Sequence, residues 1–341
     1  MSFSNQLRSW AFAGVVLCLA MPISLWAESY KTAGVAIYDI AEGRYLYRHG
    51  ARTQRAPAST IKVLTALTAW RYAKDKMGHW VTISQHAAKA QPTKAGIKPG
   101  EKFKLKDLVA MTLVASCNDT ARAVGEAVSG SEASFARDMQ KVAEHLGMTR
   151  THATNASGLP QPTGMVSTPE DSILLILALR AHPTLRKIIA QRSATLVSSA
   201  GREIVKSNHN RLMRERFKYP VLGKTGFTNL ARHCFLSWCD VDGRQVAISM
   251  LGAPNSAQLW SDLRKAYAIH MKPRAAYLPS FMSKNGISVA SLQGKLKAKG
   301  FSVSGESYYG AKTRQAVTAF QKLKRLAVDG VIGPQTWSHL K

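Results

Sequence analysis

Strand-forming segments stand at both ends of one long stretch of this chain, residues 33–253, and helix-forming segments fill the middle. AGVAIYDIAEGRYLYRHGA (33–51) alternates about a turn at AEGR and predicts a hairpin. YPVLGKTGFT, HCFLSWCDV and RQVAISMLGA (219–228, 233–241, 244–253) predict three more strands, the last two joined at DVDGR. Between the two groups, QRAPASTIKVLTALTAWRYAKD predicts a helix with Ser59 and Lys62 at its start. A second helix is expected from about Asp107, a break at SCN, then a third opened by Asp119 as its cap. SFARDMQKVAEHLGM (134–148) is amphipathic and stops at glycine, and STPEDSILLILALRAH (167–182) places Pro169 at a favoured first helical position. A last helix covers SAQLWSDLRKAYAIHM (256–271). Strands at the two ends with helices between predict an α/β fold of the α+β type, its antiparallel sheet built from both ends of the stretch.

KPRAAYLPSFMSKNG (272–286) breaks this pattern with two prolines and no period, as a linker does. Beyond it lie about 55 residues with a helical pattern of their own, near the lower size limit for independent folding. They contain a short echo, SGESYYGAKT and VDGVIGPQT, each with Gly-x-x-Thr opening a helix. The expected organisation is 1–27 leader, 28–270 catalytic domain, 271–285 linker and 286–341 small C-terminal domain.

The balance of 47 Lys and Arg against 20 Asp and Glu gives a net charge of +27, a field that favours anionic partners. Nucleic acid and an anionic envelope polymer or membrane surface are both candidates; a merely solvated basic surface is the bland alternative. The N-terminus decides between the partners. Arg8, an apolar run from Trp10 to Met21, Pro22 and a small residue at Ala27 read as a secretory leader cut after Ala27. The run is short for a membrane span, and VVL before Cys18 is a poor lipidation box. An exported chain in the periplasm or at the cell wall argues against nucleic acid. Cys117, Cys234 and Cys239 remain in the mature chain; an odd number cannot all pair, and buried free thiols are expected.

Residues three apart on a helix are neighbours, so Ser59 can meet the Lys62 amine. Serine is a weak nucleophile without an adjacent base, and lysine can be that base when burial or nearby positive charge lowers its pKa. By itself the pair reads better as a common helix cap and a common surface lysine. Two further motifs follow in order: Ser116-Cys117-Asn118 at the break between two helices, and Lys224-Thr225-Gly226 on a strand. S-x-x-K, S-x-N and K-T-G, on helix, loop and strand in that order, resemble the signature of penicillin-binding proteins and serine β-lactamases.

APASTIKVLTAL, LVASCNDTARAVGE, TNASGL and GKTGFTNLARHC resemble the low-molecular-mass D-alanyl-D-alanine carboxypeptidases of the S11 serine peptidase family, over about 28–270. AVTAFQ and DGVIGPQTW in the tail resemble the small three-helix peptidoglycan-binding domain. The resemblance implies a β-lactamase/transpeptidase-like fold that needs no cofactor or metal, with peptidoglycan as substrate and β-lactams as inhibitors. It implies Ser59 as nucleophile, Lys62 as general base, and Ser116 as proton relay to the leaving nitrogen. Asn118 would position Lys62 or the substrate amide, and Lys224 and Thr225 would hold the terminal carboxylate. Gly226 would let the substrate backbone approach, and the Ser59 and Phe227 N–H groups would form the oxyanion hole. Cys117 stands where many relatives carry a smaller residue, and TNASGL lacks the usual downstream His, with Met165 nearby.

Rival readings remain. A β-lactamase would need a deacylating glutamate as E-x-x-x-N, and the chain has none. A zinc peptidase could use His233 and Asp240, but an odd offset on a strand sends them to opposite faces. A catalytically dead wall binder has no need of S-x-x-K. A DD-endopeptidase cutting cross-links would use the same residues.

Overall fold

The computed structural model describes residues 29–341 apart from 161–163, 242–243, 272–281, 283–284, 304–308, 327 and 329. The leader with its cut after Ala27, Cys18, the DVDGR turn at 242–243 and most of the 271–285 linker lie outside the described residues.

The ends of the long stretch do meet in one sheet. β1 (Gly34–Asp39) and β2 (Arg44–His49) form the hairpin; β7 (Leu222–Thr228), β8 (Arg232–Val241) and β9 (Arg244–Ala253) complete an antiparallel sheet in the order β2-β1-β9-β8-β7. Apolar runs such as CFLSWC are buried on both faces. They are covered by α6 (Pro169–Ala181) and by α9 (Ser256–His270). The hydroxyl of Tyr267 on α9 reaches Ser237 on β8 at 2.8 Å, which satisfies two buried polar groups at once.

The helical middle surrounds α1 (Lys62–Ala73), which packs on α3 (Leu105–Ala115), α4 (Asn118–Ser129), α5 (Glu132–His145) and α6. Two expectations need correction here. Ser59 precedes α1 proper: it lies in a single 3-10 turn, Ala58–Ile61, that leads into the helix, and the left-handed backbone of Ala58 (φ +47°) stops helical structure from extending back beyond it. Asp119 is not the cap of α4. Its carboxylate instead accepts backbone N–H groups from Ala95, Gly96 and Ile97 at 2.9, 2.8 and 3.3 Å, tying down the loop before β4 (Lys102–Lys104).

Two small two-stranded sheets were not anticipated. β3 (Trp80–Thr82) pairs with β4, and β5 (Ser193–Val197) pairs with β6 (Glu203–Ser207). Short helices α2 (Gln85–Ala88), α7 (Pro183–Ile189) and α8 (Arg211–Arg214) fill the connections.

The C-terminal residues form α10 (Val289–Ala298), α11 (Ala311–Leu323) and α12 (Pro334–Leu340) around a core of their own, with Leu292, Leu296, Val317, Phe320 and Ile332 buried together. The Gly-x-x-Thr echo has a structural meaning. Gly310 and Gly333 are the N-caps of α11 and α12. Each buried threonine three residues on accepts from a buried glutamine, Gln293 to Thr313 at 2.9 Å and Gln321 to Thr336 at 3.1 Å. Cys117, Cys234 and Cys239 are buried free thiols, as expected.

Candidate active site

The three motifs converge. The 3-10 turn carries Ser59, the α3–α4 junction carries Ser116 and Asn118, and β7 carries Thr225, Gly226 and Phe227; all six line one cavity of about 570 Å³. Lys62 and Lys224 lie buried next to it. Ser116 ends α3 in a left-handed conformation (φ +64°), so two non-glycine residues, Ala58 and Ser116, hold uncommon backbone at this one site. Gly226 is also constrained from the protein side. A Cβ there would lie 3.0 Å from the Pro57 carbonyl and the Thr60 nitrogen, so its bareness lets β7 lie against the serine's own turn.

Lys62 is fully buried, with Nζ 2.8 Å from Ser59 Oγ, 2.6 Å from Asn118 Oδ1 and 2.6 Å from the Ser157 carbonyl. A neutral amine has two N–H groups and one lone pair. Asn118 Oδ1 and the Ser157 carbonyl can only accept. In the neutral amine they take both N–H groups, which leaves the lone pair for Ser59, the one neighbour able to donate; in the protonated amine the third N–H points to Ser59 instead. Asn118 cannot turn its amide round, because its Nδ2 donates to the carbonyls of Gln91 and Pro92, both at 2.9 Å. The Ser157 carbonyl is held in turn by Asn155, whose Oδ1 accepts from the Ser157 and Gly158 nitrogens at 3.0 and 2.8 Å.

Burial first, and the Lys224 charge second, hold Lys62 well below the usual lysine range. Burial also brings Lys224 down to about 7; its Nζ donates to the Thr225 carbonyl at 3.0 Å. Burial, reinforced by Asp119, pushes the Cys117 thiol up to about 12, so it packs as a neutral group. Phe227 is exposed and lies against His233, ring centroids 4.4 Å apart. His233 and Asp240 sit at opposite ends of β8, about 23 Å apart at the usual strand rise, and Asp240 pairs with Arg180 at 3.1 Å. They cannot share a metal.

Sequence reasoning missed the Ser157 carbonyl, since any residue type supplies a carbonyl. It also missed His209, Arg211 and Arg214, which line the same cavity; in a chain this basic, a stretch such as NRLMR gives no signal.

The sheet, the helical region and a serine–lysine pair at their junction define the class, a penicillin-binding/transpeptidase-type serine peptidase. Residues 25–255 match the family described as D-alanyl-D-alanine carboxypeptidase, and the chain belongs to that family. Residues 285–340 match the putative peptidoglycan binding domain. Among curated relatives, D-alanyl-D-alanine carboxypeptidase DacB2 of Mycobacterium tuberculosis is 33% identical over 218 residues, 63% of this chain and 72% of the relative. The chain spans about half the length of two further curated carboxypeptidases, and some other relatives are named D-alanyl-D-alanine endopeptidase. The crystal structure of a D-alanyl-D-alanine carboxypeptidase from M. tuberculosis H37Rv superposes with a TM-score of 0.66 at 28% identity, covering 72% of this chain and 94% of that one. Penicillin-binding protein D2 from Listeria monocytogenes, in an ampicillin-bound form, gives a TM-score of 0.63 at 25% identity, covering 72% and 98%.

Proposed function

We propose that this protein removes the terminal D-alanine from peptidoglycan stem peptides through an acyl-enzyme on Ser59. The observation that carries the reading is Lys62 Nζ at 2.8 Å from Ser59 Oγ, with its two other neighbours able only to accept. Ser59 Oγ attacks the carbonyl carbon between the two D-alanines while its proton passes to Lys62 Nζ. The Ser59 and Phe227 N–H groups take the charge on the oxygen. The C–N bond then breaks, and the leaving nitrogen receives a proton through Ser116. D-Alanine departs with its carboxylate released from Lys224 and Thr225. Water attacks the ester, gives a proton to Lys62, and Ser59 is restored. Export to the periplasm or wall is part of the same proposal, supported by the leader-like N-terminus and the peptidoglycan-binding match.

Purified muropeptides test the reaction. The wild type should release free D-alanine from monomeric pentapeptides, and Ser59→Ala should release none. Conversion of cross-linked dimers to monomers without D-alanine release would favour the endopeptidase reading instead.

In the same proposal the C-terminal domain holds the wall, and the basic surface adds electrostatic attraction to anionic envelope polymer. The cores are separate, so a chain ending at Phe281 should keep its turnover of a short soluble peptide within about 2-fold. It should sediment with insoluble cell wall far less than the full chain. High salt should weaken only the electrostatic part. Equal sedimentation of the two forms would remove the anchoring role.

A further inference from the structure

The cavity has a charge asymmetry that the three motifs do not explain. Among the described residues no Asp or Glu lines it, whereas Arg211 and Arg214 do. Both lie on the short helix α8, and that turn is firmly seated. Buried Asn210 caps α8, accepting from the Met213 nitrogen at 3.3 Å, and its Nδ2 donates to the Val221 carbonyl at 2.8 Å, one residue before β7 begins. Buried Asn208 adds bonds to the carbonyls of Ile189 and Gln191 at 3.2 and 2.9 Å. The anchor at Val221 places α8 at the Lys224 end of β7. Gly226, further along the strand, lies against the Ser59 turn. With the terminal carboxylate held by Lys224 and Thr225, as proposed above, a peptide lying along β7 with its scissile bond at Ser59 points its carboxyl end towards α8.

The two guanidiniums are not equivalent. Arg211 is paired with Glu215, which also takes Arg264. Arg214 has no hydrogen-bonded or ion-paired side-chain partner among the described residues, although its positive field reaches His209 in the cavity wall. Lys224, the expected carboxylate holder, is buried and held down at about 7, so near neutral pH much of it is uncharged. A guanidinium stays charged throughout and offers a bidentate fork.

We infer that Arg214 is a specificity-determining residue that binds the carboxylate of the leaving D-amino acid and so selects substrates with a free C-terminal carboxylate over those ending in a neutral amide. The inference rests on the proposed attack by Ser59, and the experiment separates the two.

Compare kcat and KM for an acylated D-Ala-D-Ala peptide and for its C-terminal carboxamide. The wild type should prefer the acid. Arg214→Ala should lower kcat/KM for the acid by about 10-fold or more, mainly through KM, while the amide changes less than about 2-fold. Arg214→Lys should recover part of the preference. Equal losses on both substrates, or no loss on either, would overturn the assignment. Equilibrium binding of the same two peptides to the Ser59→Ala protein needs no chemistry. If Arg214→Ala in that background erases the acid preference, the assignment stands even where neither peptide is turned over measurably by the wild type; if the preference survives, the assignment falls. Loss of the Ser59 reading appears separately, as Ser59→Ala protein that still turns over.

Discussion

Replacing Gly158 by alanine is expected to reduce acylation of Ser59 by at least about 100-fold, the scale of loss that follows from misplacing reacting groups by about an ångström. Gly158 has φ +80°, which strains any other residue, and a Cβ there would overlap the carbonyl oxygen of Ala58 and approach Ile61 Cγ2 at 3.0 Å. Ala58 immediately precedes Ser59. The Ser157 carbonyl, one residue before Gly158, takes one of the two N–H groups that orient Lys62. Relief of the overlap must move either the turn that carries the nucleophile or the carbonyl that aims its base. Left-handed strain and overpacking together should cost about 2–5 kcal/mol, visible as a Tm lower by roughly 4–20 °C for a domain of this size. Gly201→Ala is the control. Gly201 has nearly the same conformation, φ +83°, with nothing near the added carbon. It should lose stability modestly and acylate normally. Thermal unfolding and the rate of penicillin labelling check both variants; normal labelling of Gly158→Ala would show that the Ser157–Gly158 segment does not set the geometry of the site.

The reach of the sequence follows from the same physics. The central sheet was legible because its inner strands are apolar runs flanked by turn residues, and such segments have few alternatives to mutual burial. The 193–197 and 203–207 hairpin has a readable alternation, with Ala194 and Leu196 buried and their neighbours exposed, yet it is short and lies among helices. The 3-10 turn ahead of α1 was not foreseen, because neither its tighter winding nor left-handed backbone at an alanine leaves a trace in residue type. Asp119 carried the correct chemistry for a helix cap, but three loop N–H groups compete for the same carboxylate.

At the site, Ser59 and Lys62 were legible because helical spacing alone brings them together. The nearness of Asn118 and β7 came only through resemblance to a family, since no local rule brings residues 62, 118 and 224 to one place. The packing of Gly226 against Pro57 and Thr60 is a tertiary contact that no local pattern announces. Arg214 was hidden for a further reason: 47 Lys and Arg residues dilute the meaning of any one of them.

The central claim is an acyl-enzyme on Ser59 formed with Lys62 as base. A β-lactam presents its strained amide and its carboxylate where D-Ala-D-Ala would sit, and after ring opening the leaving group stays tethered and obstructs water. With no E-x-x-x-N glutamate in the chain, the ester should persist. Lys62→Met keeps the buried chain length without the amine and should label about 100- to 10,000-fold more slowly, the usual span for loss of a general base. The direct measurement is mass spectrometry of the protein after incubation with labelled penicillin. The account predicts one adduct per wild-type chain, carried on the peptide that contains Ser59, and none on Ser59→Ala. An adduct on Ser59→Ala, or a wild type that hydrolyses penicillin with fast repeated turnover and never accumulates the ester, would contradict it.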